Sequence, residues 1–155
     1  NKKQFSGGLL LGLMSVVIVS LLSLLSKYTS VIPNVFGDYL HSGYARFFSG
    51  KSTNASFILL SLISIAVVEE IIFRRLLIDA IDDSTMLSDS MVILVGGLVG
   101  TIADFAWMMS IETVVTSLII NLVMTGIYVN SNRSLGLNVF LRILIIVIQF
   151  LIFYV

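Results

Sequence analysis

The stretch VVEEIIFRRLL, residues 67–77, sets Glu69, Glu70, Arg74 and Arg75 inside an apolar run. From Phe57 to Ile81 the chain is otherwise dominated by Ile, Leu, Val, Phe and Ala, and about 20 mostly apolar residues are enough to cross the hydrocarbon core of a bilayer as a helix. The stretch therefore reads as a membrane helix with a charged cluster in it. A charge at that depth costs about 2.5–3.5 kcal/mol on insertion scales unless it is paired or faces a wet interior. That cost makes these residues candidates for function.

The rest of the chain carries the same signature. Of 155 residues, 57% are hydrophobic and 12% charged, and the mean hydropathy is +1.06. Soluble domains carry about 25% charged residues, so this chain lacks the polar groups to cover itself in water. The reading is an integral membrane protein in contact with lipid, a single membrane domain over residues 1–155. Net charge is zero and no basic run exists, which argues against nucleic acid as a partner. There is no cysteine, which excludes disulfides and thiolate chemistry, and a single histidine, His41, which makes a histidine-rich metal site improbable. No metal and no cofactor is expected. With no initial methionine and an apolar ending FLIFYV, the expectation is a trimmed or partly ordered piece of a longer protein.

Working outward from 67–77, Gly7–Ser26 is a first span and Phe57–Ile81 the second. Met91–Met109, rich in glycine at 96, 97 and 100, is a third, Glu112–Val129 a fourth and Leu135–Val155 a fifth. IDDSTMLSD and NSNRS are polar breaks, and 27–56, with its one proline and scattered aromatics, reads as an interfacial loop or amphipathic segment. The fold class is all-α, a polytopic transmembrane bundle of about five spans. If every span crosses, Lys2, Lys3, Arg74, Arg75 and Arg133 fall on one side and Lys27, Arg46 and Lys51 on the other, which favours a cytoplasmic N-terminus.

Within the cluster, Glu70 and Arg74 stand at i and i+4, share a helix face and can pair. Glu69 lies about 100° around the helix and points at another neighbour. Two adjacent carboxylates near one arginine form an acid/base device: one is held ionised while the other activates water. A purely structural ion pair between helices accounts for the same spacing, with Arg75 marking the membrane boundary. Asp104, beside Phe105 and Trp107, is a further intramembrane acid, and the glycines of 96–100 permit close helix approach.

EEIIFRR resembles the first motif, E-E-x-x-x-R, of the CAAX-protease and bacteriocin-processing (CPBP, or Abi) family. Glu69, Glu70 and Arg74 match it position for position, and residues 57–155 resemble the family's core. The resemblance implies a membrane endopeptidase in which the first glutamate activates water and two histidines from later helices assist. Some members trim prenylated CAAX proteins; bacterial members are linked to bacteriocin maturation, self-immunity and regulation. Both histidines are missing here. In ADFAWMMS the family's F-x-x-x-H keeps Phe105 but has Met109 at the histidine, and counting from Gly126 places Arg142 at the third-motif histidine and Ile146 at its asparagine. Methionine takes up no proton, and arginine is no base near neutral pH. Glu69, Glu70, Arg74, Asp104 and Arg142 can instead close a charge network. The expectation is a catalytically impaired CPBP-like protein of the bacterial plasma membrane. It acts by binding a membrane protein or peptide, as an immunity, regulatory or assembly factor. An active endopeptidase running on Glu69, Glu70 and Arg74 is the alternative, and a small transporter or channel subunit a weaker one.

Overall fold

A computed structural model describes residues 2–28, 55–84, 87–108 and 111–154, and among them the chain is all helical. The elements are α1 (Lys2–Tyr28), α2 (Ala55–Glu70), a π-helical stretch (Ile71–Ile78), α3 (Asp79–Ser84), α4 (Asp89–Met108), α5 (Ile111–Asn130) and α6 (Leu135–Tyr154). α2, the π stretch and α3 run on without a break. The expected interfacial segment 27–56 lies outside the described residues except at its ends, where Lys27 and Tyr28 complete α1 and Ala55 and Ser56 open α2.

Three helical runs are long and apolar enough to cross a membrane: Phe5–Leu25, Ala55–Ile81 and Leu135–Ile152. The apolar part of α5, Val114–Asn130, is shorter. Burial is inverted relative to a water-soluble protein. The outward side chains of α1 are Leu10, Leu11, Met14, Val17, Ile18 and Leu21, whereas the interior encloses Glu70, Arg74, Asp104, Asn121, Asn138 and Arg142. With no water in the hydrocarbon, polar groups are stable only where they find one another inside the bundle. Hydroxyls on the apolar helices obey the same rule: Ser15, Ser20, Ser61 and Ser64 each donate to the carbonyl four residues back.

α6 is the central element. Its Leu137, Leu141 and Ile145 pack with Val16 of α1 and with Ile120, Met124 and Ile127 of α5, while Ile146 and Phe150 pack with Leu62 and Ala66 of α2. α1 runs parallel to α6: Gly8 abuts Ser131, Gly12 abuts Leu141, and Lys27 Nζ donates to the carbonyl of Ile152 near the C-terminus of α6. α4 lies along α5 at the spacing that glycine allows. A Cβ on Gly100 falls 2.7 Å from Asn121 Oδ1, and one on Gly97 falls 3.2 Å from the Cα of Leu122.

The turn between α5 and α6 sets the register of α6. Asn132 takes a left-handed conformation (φ 57°), and Arg133 N donates to Tyr128 O at 2.9 Å, the six-residue closure of a Schellman cap with asparagine in the usual glycine place. Ser134 Oγ then accepts from Leu137 N at 3.4 Å, as an N-cap does. The turn thereby fixes which face α6 shows to α2.

The π stretch has a geometric role. Buried positions follow every fourth residue from Leu62 through Ala66, Glu70 and Arg74 to Ile78. In an α-helix each such step overshoots a full turn by about 40°, so an unbroken α-helix turns Ile78 about 160° away from Leu62. In the wider π-helix the same step falls short by about 30°, which brings Ile78 back to within about 15° of Leu62. One face therefore stays buried for the whole length, and Arg74 stays on it.

Candidate functional site

Five elements meet around the charged cluster. Glu69 and Glu70 come from the end of α2, Arg74 from the π stretch, Asp104 from α4, Ser117 and Asn121 from α5, and Asn138 and Arg142 from α6. Arg74 Nε lies 3.4 Å from Glu70 Oε2, an ion-pair contact along one helical turn. Arg74 Nη2 donates to Asn121 Oδ1 at 2.9 Å. Asn121 Nδ2 donates onward to Asp104 Oδ2 at 2.8 Å and to Ser117 Oγ at 3.1 Å, and Ser117 Oγ donates to the same Asp104 oxygen at 2.5 Å. On the opposite side Asn138 Nδ2 donates to Glu70 Oε2 at 3.0 Å and to the Met124 carbonyl at 2.9 Å. Arg142 Nη2 lies 3.3 Å from Glu69 Oε2.

The structure thus places the candidate residues Glu69, Glu70, Arg74, Asp104 and Arg142 in one polar cluster, but through different links from those that charge counting suggests. Asp104 is joined to Arg74 through the amide of Asn121, not by a direct ion pair. Asn138 and Ser117 complete the chain, and residue types alone did not single them out. A signal for both exists in the sequence. Ser117, Asn121 and Thr125 stand every four residues on α5, and Asn138 stands four before Arg142 on α6, so each set forms a polar stripe on one helix face. Thr125 Oγ1 spends its hydrogen on the Asn121 carbonyl at 2.7 Å, which leaves the Asn121 side chain to the cluster.

Exposure divides the two glutamates. The Glu70 and Arg74 side chains are 3% and 2% exposed, whereas that of Glu69 is 24% exposed. Glu70 is the sealed, structural carboxylate, and Glu69 is the one with an open edge. Arg142 is the guanidinium that meets that edge. Of the remaining candidates, Phe105 belongs to α4, and Met109 lies outside the described residues. Arg75 is outside the cluster. It is 60% exposed and pairs with Asp79 at 3.0 Å, where Tyr128 also donates to Asp79 at 3.0 Å. Among the described residues, no group of three or more His, Cys, Asp or Glu side chains is placed to hold a metal ion.

Chemically, the arrangement offers one accessible carboxylate beside a fixed guanidinium, backed by a second ion pair and an amide-linked acid. A carboxylate so placed can accept a proton from water, but Arg142 Nη2 lies against one of its oxygens and competes for the lone pairs that a water would use.

Comparison with curated proteins and with solved structures finds no match to the chain. A protein-family model does match, over residues 51–148, and that region holds every residue of the cluster. It is the model of type II CAAX prenyl endopeptidase Rce1-like proteins. With well over half of the chain matched, this integral membrane protein belongs to the Rce1-like family of type II CAAX prenyl endopeptidases.

Proposed function

We propose that this chain is a catalytically impaired member of its family that works by binding another membrane protein or a peptide, as an immunity, regulatory or assembly factor. One observation carries the reading: the accessible carboxylate, Glu69, is engaged by Arg142, which stands where the family has a histidine. An imidazole there shares a proton with water; a guanidinium donates hydrogen bonds and accepts none. Met109 at the second histidine position removes another group able to take up a proton. A positioned acid or base contributes roughly 10²–10⁴-fold to a rate, and an oxyanion donor roughly 10²–10³-fold. Arg142 recovers part of the second contribution and Met109 none of the first. The distribution of Lys and Arg favours a cytoplasmic N-terminus, and the family's immunity and regulatory members favour a bacterial plasma membrane.

An active endopeptidase is the second reading, favoured by the exposed edge of Glu69 and by the division of labour in which Arg74 holds Glu70 and leaves Glu69 free to act. Two variants assayed in the cell separate the readings: Glu69→Ala, and Met109→His combined with Arg142→His. Under the binding reading, Glu69→Ala leaves every candidate substrate of the membrane fraction uncut to the same extent as wild type, and the double variant gains cleavage or changes nothing. If Glu69→Ala accumulates normally while a processed peptide disappears with it, the endopeptidase reading replaces the binding one.

A further inference from the structure

We draw no further inference here: the strongest candidate, the enclosed pair of Ser23 on α1 and Gln149 on α6 toward the Lys27–Ile152 end of the bundle, where Ser23 Oγ and Gln149 Nε2 have no hydrogen-bond partner, is sealed within the bundle, and nothing in the structure shows what fills it.

Discussion

Replacing Arg74 with methionine tests the cluster at its most connected point. Arg74 is buried, pairs with Glu70 at 3.4 Å and supplies the hydrogen bond to Asn121 Oδ1 at 2.9 Å. Methionine keeps much of the volume and removes the charge. Glu70 is then left with the Asn138 amide as its donor, 3% exposed in the middle of an apolar run. An uncompensated ion at that depth costs about 2.5–3.5 kcal/mol, and loss of the interhelix hydrogen bond adds about 0.6–1.7 kcal/mol. The sum, about 3–5 kcal/mol, agrees with what is measured when one member of a buried pair is removed. The second variant is Glu70→Gln with Arg74→Met, which removes both charges and keeps an acceptor for Asn138. Its expected loss is about 1–2 kcal/mol, because only neutral hydrogen bonds are disturbed. The double-mutant cycle therefore predicts that the pair of changes is milder than Arg74→Met alone by about 2–3 kcal/mol, with Glu70→Gln alone as the corner from which the coupling is read. Reversible unfolding of the purified chain in mixed micelles, followed by loss of helical signal, gives all four corners of the cycle. If Arg74→Met unfolds no more easily than the double variant, the pair does not compensate Glu70, and the account of how this helix tolerates its charges is wrong.

Other outcomes follow from the same contacts. Asn121→Leu leaves Asp104 and Arg74 without their bridge and is expected to lose about 1–3 kcal/mol in the same assay, whereas Ser117→Ala, which leaves Asn121 bound to Asp104, loses about 1 kcal/mol or less. Gly97→Val drives a side chain into the backbone of Leu122 and is expected to separate α4 from α5, read as a loss of about 1–3 kcal/mol and as reduced crosslinking between cysteines introduced on the two helices. Asp79→Asn weakens the contacts to Arg75 and Arg133 at the bundle's edge, and being a partly exposed ion pair it is expected to change stability by less than about 1 kcal/mol.

The membrane character and the core of the site were legible in the sequence because both rest on local pattern. The run around residues 67–77 is apolar enough to span, and the spacing of Glu70 and Arg74 is sufficient to pair them on any helix. Glycine at 96, 97 and 100 likewise announced a close helix contact, and α4 lies against Leu122 and Asn121 at those positions. What local pattern does not contain is the partner across a helix interface. Asp104 and Asn121 meet because α4 doubles back on α5, and Glu70 meets Asn138 because the Asn132 cap and Ser134 turn α6 toward α2. The π stretch was equally illegible. The run IIFRRLLI gives no propensity signal for it, and the register that it maintains from Leu62 to Ile78 is a requirement of packing against α4, α5 and α6.

That register explains why the polar groups concentrate at one level. A helix with a wide buried face can hide one charge, but two successive glutamates on α2 point about 100° apart and need two different neighbours. The π stretch supplies the first by keeping Arg74 under Glu70, and α6 supplies the second by carrying Arg142 to Glu69 while Asn138, one turn earlier, steadies Glu70 from the same side. The helices that carry Glu69, Asp104 and Arg142 each present, on their own, an unpaired ion to hydrocarbon; in the assembled bundle each finds a polar partner. The cluster is therefore a stability requirement before it is a reactive site. A change of function at Glu69, the exposed member, is open to evolution in a way that a change at Glu70 is not. Arg142 fits that order, since it meets Glu69 and leaves the sealed pair of Glu70 and Arg74 in place.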